Sequence, residues 1–217
     1  MSKQSKITVK HYPNTNLKPQ SENGKLKYPL YVQVIYKSKP YKFKSEDDYF
    51  KYVDEKDLEN DFICKMLESE IKRIERTVSL ISQNNTKLLT SKEIFKWSKP
   101  LDKIIEQNLG KLIKEEFSDA PALLTDLSYT EINHLLFFLG VGAYDKLQMN
   151  DKISSVWMII NNLRSNLFEF YNKDYCYIDL FYGDKFLEIY EVFEDTFIGN
   201  DEYLKKCIEN FRYFIDL

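Results

Sequence analysis

The hydrophobic residues of this chain follow two different periods, and the change falls near residue 45. Before that point apolar and polar residues alternate, as in Ile7-Thr8-Val9-Lys10. Alternation of this kind is typical of strands with one buried face. It predicts three strands at about residues 6–12, 29–37 and 40–44. We expect a long polar loop between the first two strands and a tight turn at Ser38-Lys39-Pro40 between the last two.

From residue 54 onward the apolar residues recur at helical spacing. They predict a long amphipathic helix over about residues 55–83. Thr90 or Ser91 can cap a short second helix that runs through Trp97. The same spacing predicts further helices at about residues 101–117, 128–139, 149–171, 184–197 and 201–215. The predicted fold class is therefore α+β, with a small three-stranded antiparallel N-terminal sheet followed by a mainly α-helical body.

We expect two regions, a basic β-sheet module at residues 1–45 and a helical body at residues 46–217. Ala120-Pro121 interrupts the helical pattern, so the body has a candidate division near residues 118–128.

In the predicted sheet, side chains of alternate residues point to opposite faces. One face is apolar and carries Ile7, Val9, Val32, Val34, Tyr41 and Phe43. The other face is polar and basic, and carries Thr8, Lys10, Tyr31, Gln33, Lys42 and Lys44. A basic polar face flanked by a lysine-bearing loop suits a phosphate backbone, and a small sheet can enter a major groove.

Charge is distributed unevenly along the chain. Residues 1–45 contain ten lysines and a single acid, Glu22, which gives this segment a formal charge of +9. Since the net charge of the whole chain is −3, the remainder carries −12. Such asymmetry indicates a basic arm with a role of its own. The alternative is a lysine-rich solvated edge that prevents strands of different molecules from pairing.

The sequence offers little for catalysis or for metal binding. It has two histidines, His11 and His134, and neither has a partner at metal-ligand or catalytic spacing. Gly140-Val141-Gly142 is too short for a phosphate loop and lacks the Lys and Ser/Thr that follow one. We therefore expect no catalytic residues, no metal site and no cofactor.

The sequence also carries few features that indicate a cellular compartment. The sequence predicts no signal peptide and no membrane-spanning segment. Three cysteines without Cys-x-x-Cys spacing indicate reduced thiols. We expect the protein to lie in the cytoplasm of a bacterial host cell. We expect it to have no membrane partner.

A resemblance adds to this interpretation. The segment contains Ile7-Thr-Val-Lys-His-Tyr-Pro-Asn-Thr-Asn, then Asn23-Gly-Lys, then Tyr28-Pro-Leu-Tyr-Val-Gln-Val-Ile-Tyr-Lys-Ser-Lys and finally Tyr41-Lys-Phe. It resembles the N-terminal arm-type DNA-binding domain of Bacteroidetes-type phage and transposon tyrosine recombinases (integrases). The resemblance covers about 45 residues and implies a three-stranded sheet that binds arm sites in DNA.

The chain departs from that family beyond the arm-type segment. A tyrosine recombinase needs an Arg, a His-x-x-Arg box and a nucleophilic Tyr to form a phosphotyrosine bond. Neither histidine here is followed by Arg three residues later, and the chain has only four arginines. The resemblance therefore implies attachment to DNA without strand cleavage.

These observations predict a non-catalytic accessory protein of a mobile genetic element or phage. It would bind DNA, duplex in preference to single strands, through the basic sheet, and a protein partner through the helical body. Base edges would be contacted by Thr8, Tyr31 and Gln33, and phosphates by Lys10, Lys18, Lys25, Lys27, Lys37, Lys39, Lys42 and Lys44. The alternative is a structural subunit of a virion or multiprotein complex, whose basic sheet docks on an acidic protein.

Overall fold

The computed structural model describes a β-rich N-terminal segment, two helices and a short later segment. The described residues are 6–47, 49–84, 89–101, 103–104, 107–108, 111, 175–185, 188, 191, 202, 206, 209–211 and 213. Its strands are β1 (Ile7–Pro13), β2 (Gln20–Glu22), β3 (Lys25–Tyr36), β4 (Lys39–Lys44) and β5 (Tyr52–Val53). Its helices are α1 (Asp61–Asn84), α2 (Ser91–Trp97) and two 3-10 helices at Asp57–Glu59 and Tyr177–Leu180.

The α+β class is confirmed. An antiparallel sheet of five strands is organised around β3, with which every other strand pairs. β1 and β4 both pair with its C-terminal half, so they lie on opposite sides of β3 and form the predicted three-stranded sheet. The two additional strands, β2 and β5, pair with its N-terminal half.

The structure corrects the predicted loop between the first two strands. Residues 20–27 form a hairpin across Asn23-Gly24, whose φ angles of 51° and 75° are those of a two-residue hairpin turn. All three β2 residues are exposed. An apolar alternation therefore cannot reveal this strand, because none of its side chains enters the core.

The predicted turn between β3 and β4 is also displaced. The two turn residues are Lys37 and Ser38, with φ angles of 48° and 61°, and Pro40 lies inside β4. A two-residue hairpin turn of this type needs positive φ at both positions. Proline cannot adopt positive φ, so it cannot occupy either position.

The first long helix begins six residues later than the predicted start at about residue 55. Asp54 and Asp57 bond each other's backbone N–H groups through their side chains at 3.0 and 2.8 Å, which holds a turn. Asn60 Oδ1 then accepts from the backbone N–H of Phe62 at 2.9 Å, and the helix follows.

The cap of α2 agrees with the sequence, since Thr90 Oγ1 accepts from the backbone N–H of Glu93 at 3.2 Å.

The apolar face of the sheet packs on α1. The main core contains Val9, Val32 and Val34 of the sheet together with Ile74 and Val78 of α1. Ile94 of α2 completes it. A smaller cluster of Leu30, Val53 and Leu67 closes the other end of the sheet.

The chain divides into two compact units. The first comprises residues 1–99 with Cys176–Ile178, and the second comprises residues 100–175 with 179–217. The first unit extends beyond the predicted 1–45 module because α1 and α2 complete the core of the sheet. The predicted division near 118–128, and most of the predicted helices after residue 100, lie outside the described residues.

No helix in the described part of the chain is both long enough and apolar enough to cross a membrane.

Candidate nucleic-acid interface

The face of the sheet opposite α1 carries nine residues in three cross-strand rows. Val9, Val32 and Val34 are buried toward α1, so their neighbours along each strand point the other way. The register of β1, β3 and β4 aligns these neighbours as Thr8–Ile35–Pro40, Lys10–Gln33–Lys42 and Tyr12–Tyr31–Lys44. We call these nine residues the open face.

The predicted faces of the sheet are therefore the observed ones. Six open-face residues were predicted from alternation: Thr8, Lys10, Tyr31, Gln33, Lys42 and Lys44. Sequence reasoning missed Tyr12, Ile35 and Pro40. Tyr12 follows from its spacing of two residues from Lys10. Alternation also places Ile35 two residues from Gln33 and Pro40 two residues from Lys42, although their apolar side chains add nothing to a polar pattern.

The cations of the open face have no acidic partner. Lys10, Lys42 and Lys44 are all exposed. Within the described ranges no carboxylate lies at ion-pair distance from any of the three. The Nζ of Lys42 lies 5.8 Å from the centre of the Tyr12 ring. Three positive charges are thus available to an anionic partner.

Two tyrosines form the aromatic part of the open face. The ring centres of Tyr12 and Tyr31 lie 6.2 Å apart with an angle of 55° between the rings. Burial raises the pKa of Tyr12, and the charge that Tyr31 would carry when ionised raises it further. The Tyr12 hydroxyl therefore stays protonated at neutral pH and can donate to an acceptor such as a phosphate oxygen.

The β3–β4 turn extends the basic surface beyond the open face. Lys37 and Lys39 are both exposed there. The Nζ of Lys37 lies 5.2 Å from the centre of the Tyr36 ring. The turn therefore adds two cations at one end of the three rows.

The remaining predicted lysines lie outside the open face. Lys18 is exposed in the loop after β1, and Lys25 is exposed at the start of β3. Lys27 forms ion pairs with Glu22 at 3.0 Å and with Asp57 at 3.2 Å. The hydrogen bond to Glu22 is the largest influence on the Lys27 pKa, which is raised overall. Two carboxylates thus already neutralise Lys27, which distinguishes it from Lys18 and Lys25.

A buried polar cluster holds the sheet on α1 behind the open face. His11 lies on the core side of β1, and its Nε2 donates to Glu70 Oε2 at 2.7 Å. Ser45 Oγ donates to the same oxygen at 2.6 Å, and the backbone N–H of Glu46 donates to Glu70 Oε1 at 2.8 Å. Burial raises the pKa of Glu70, but the hydrogen bond and charge of His11, with the other two donors, outweigh it and lower the pKa.

The described arginines have structural roles. Arg73 is buried, and it donates through Nε to the Ser98 carbonyl at 3.2 Å and through Nη1 to Ser69 Oγ at 2.9 Å. Arg76 donates through Nη2 to Cys176 Sγ at 3.5 Å. His134, Arg164 and Arg212 lie outside the described residues. Among the described residues, no group of three or more His, Cys, Asp or Glu side chains could hold a metal ion.

Comparison of the chain with protein-family models, with curated proteins and with solved structures found no match. Its function must therefore be argued from the charge and geometry of the open face.

Proposed function

We propose that the protein binds duplex DNA through the open face of its N-terminal sheet. The observation that supports this most directly is the row Lys10–Gln33–Lys42, in which a polar amide lies between two cations that pair with no carboxylate of the described residues. Lysine ammonium groups without an acidic partner can bind phosphate oxygens, and a side-chain amide can form hydrogen bonds with the edges of bases. Phosphate contacts from Lys37, Lys39 and Lys44 and base contacts from Tyr31 and Thr8 complete the proposal.

The spacing of the strands fits a major groove. Neighbouring strands lie about 4.8 Å apart, so the two outer strands of the row are about 10 Å apart. The major groove is about 12 Å wide. With β3 central in the groove, Gln33 faces the base pairs. Lys10 and Lys42, on the outer strands, then face the phosphates on either side.

The rest of the proposal concerns the role of the whole chain. It acts without catalysis as an accessory protein of a mobile element or phage, and a protein partner binds its helical body. The resemblance to the arm-type domain of integrases supports the DNA-binding part of this role. The engagement of Arg73 and His11 in structural contacts supports the absence of catalysis.

The rival proposal is a subunit that docks its basic sheet on an acidic protein. The unpaired charges of Lys10, Lys42 and Lys44 would serve a row of carboxylates as well as a row of phosphates. The two proposals differ in how binding to DNA depends on salt.

The deciding experiment is a titration of duplex DNA at a series of salt concentrations. Binding through about four to six phosphate contacts should lower log affinity with log salt at about 0.9 per contact. Lys42→Ala should reduce that slope by about one and weaken binding to all sequences alike. Lys72→Ala removes the same charge from α1, where Lys72 pairs with Glu68 at 3.0 Å, and should leave the slope unchanged.

Absence of binding near physiological salt, or binding that does not respond to salt, would favour the docking subunit. An equal effect of the two alanine variants would show that net charge matters and the open face does not.

A further inference from the structure

We propose that the open face recognises A·T base pairs in the major groove, an inference that rests on the proposed function. Gln33 would bond the edge of an adenine. The row Thr8–Ile35–Pro40 would contact the 5-methyl groups of thymines. The inference follows from two features of the open face that binding to phosphates does not require.

The first feature is an apolar row beside the polar one. Ile35 lies on the central strand, points away from the core and is 39% exposed. The register places Thr8 and Pro40 on either side of it. These side chains offer a methyl group from Thr8, a sec-butyl group from Ile35 and ring methylenes from Pro40 beside the basic residues of the open face. Phosphates gain nothing from such a row, whereas the thymine methyl is the one apolar group that bases present in the major groove.

The second feature is an amide without a partner. Gln33 is half-buried, and in the described part of the chain its side chain makes no hydrogen bond. Its row neighbours, Lys10 and Lys42, carry only donors, so they cannot satisfy the amide N–H groups. Adenine presents an acceptor, N7, beside a donor, N6, and this pair matches the two ends of a glutamine amide.

The spacing of the two features suits base pairs that lie two steps apart. Gln33 and Ile35 are two residues apart on one strand, which corresponds to about 6.7 Å. Two steps along one DNA strand span about 6.8 Å. When β3 runs along the groove, an adenine at Gln33 and a thymine methyl at Ile35 can therefore be contacted together.

The Gln33 amide and the apolar row also disfavour binding to G·C pairs. Guanine presents two acceptors, N7 and O6, so a glutamine amide can satisfy only one of them well. Cytosine carries no methyl group, and its N4 donor needs an acceptor. None of the nine open-face residues is a carboxylate. A G·C pair would thus place the polar edge of cytosine opposite Ile35 and Pro40, whose side chains have no acceptor.

The test compares three alternating duplexes, poly(dA-dT), poly(dA-dU) and poly(dI-dC), at each salt concentration of the titration, with poly(dG-dC) as a G·C reference. Uracil differs from thymine only by the missing methyl. Inosine·cytosine pairs resemble G·C in the major groove but A·T in the minor groove, because inosine lacks the 2-amino group. We expect binding to poly(dA-dT) to be about tenfold tighter than to poly(dI-dC), within the range of one good base contact, with poly(dA-dU) between them.

Two variants test whether Ile35 and Gln33 cause the preference for A·T pairs. Ile35→Ala should remove the difference between poly(dA-dT) and poly(dA-dU) while the salt slope stays unchanged. Gln33→Ala should reduce the preference over poly(dI-dC) several-fold. Phe62→Ala, which removes an exposed apolar side chain from α1, should change neither preference. Both test residues point away from the core, so unfolding temperatures should match the wild type.

The outcomes separate this inference from the proposed function. Equal binding to all three duplexes with the expected salt slope would overturn A·T recognition and leave DNA binding intact. Poly(dI-dC) bound as tightly as poly(dA-dT), with both tighter than a G·C duplex, would indicate the minor groove and overturn the proposal. Failure to bind any duplex would overturn both.

Discussion

At the scale of single residues, a buried carboxylate fixes the open face from behind. Glu70 of α1 is 5% exposed and accepts from a strand histidine, a serine hydroxyl and a backbone N–H. His11 lies between two open-face residues, Lys10 and Tyr12, in β1. The pair therefore positions two proposed DNA contacts although neither member reaches the open face. Such a buried group is costly to leave unpaired, so it ties the sheet to one position on α1.

The lowered pKa of Glu70 predicts a pH-dependent contribution to stability. Because the pKa is lower in the folded state than its ordinary 4.5, the contribution is present above that value and is lost as pH falls through the folded pKa. Glu70→Gln mimics the protonated carboxyl. At pH 7 it should lower the free energy of unfolding by about 1–3 kcal/mol. Urea unfolding from pH 7 to pH 3 should show this deficit shrinking, and a constant deficit would contradict the assignment.

At the scale of elements, the two hairpins make the same kind of turn from unlike residues. Asn23-Gly24 is the preferred pair for two positive φ angles, whereas Lys37-Ser38 is not. Side chains with a Cβ are disfavoured there by roughly 1 kcal/mol each. The β3–β4 turn keeps its geometry because cross-strand pairs on both sides hold the register, including Val34↔Tyr41 in the core.

This difference predicts opposite effects of substitution in the two turns. Ser38→Gly should raise the free energy of unfolding by about 1 kcal/mol, because glycine accepts positive φ without strain. Gly24→Ala should lower it by about 1 kcal/mol. A Cβ at residue 24 would meet no atom within 4 Å, so that loss is purely conformational. Chemical denaturation measures both, and a loss of stability in Ser38→Gly would show that Ser38 has a role beyond the turn.

At the scale of the whole molecule, the first compact unit includes a segment from far along the chain. Cys176 and Ile178 are fully buried against Ile81 of α1. The backbone N–H of Tyr177 donates to the Lys99 carbonyl at 3.0 Å. The Tyr177 ring lies 4.9 Å from that of Trp97, measured between ring centres. The basic sheet therefore belongs to a unit that residues 1–99 alone do not complete.

Ile178→Ala should destabilise this N-terminal unit by about 2–5 kcal/mol, because it leaves a cavity in a closed core. Hydrogen exchange of α1 amides near Ile81 should report the loss directly. Ile35→Ala is the matched control, since Ile35 is exposed and its loss should cost no more than about 0.5 kcal/mol. Unchanged protection of α1 in Ile178→Ala would mean that residues 1–99 are stable without the later segment.

The absence of strand cleavage is a second prediction for the whole chain. Incubation with supercoiled DNA and a divalent cation should leave the DNA uncut and form no covalent adduct. The reason is chemical, because a tyrosine nucleophile needs a cluster of cationic groups around the phosphate. Gel analysis after denaturation measures both products. An adduct abolished by substitution of a single tyrosine would contradict a non-catalytic role.

The sequence by itself determined the local features of this protein. Alternation placed β1, β4 and the second half of β3, and it separated Val32 and Val34 from Gln33 correctly, because a strand fixes the direction of each side chain relative to its neighbour. Helical spacing located most of α1. Thr90 identified the start of α2, since capping depends on residues only three positions apart.

The tertiary structure decided everything that depends on distant partners. The polar strand β2 carries no apolar alternation, so hydrophobic periodicity does not reveal it, although Asn23-Gly24 is a local signal for its hairpin with β3. Lys27 looks like any other basic residue until Glu22 and Asp57 are brought beside it. Ile35 shares one side of β3 with Gln33 by alternation, but only the register places it beside Thr8 and Pro40 in one row. Lys27 and Asp57, like Ile35 and Thr8, are far apart in sequence, so local periodicity and composition carry no information about these contacts.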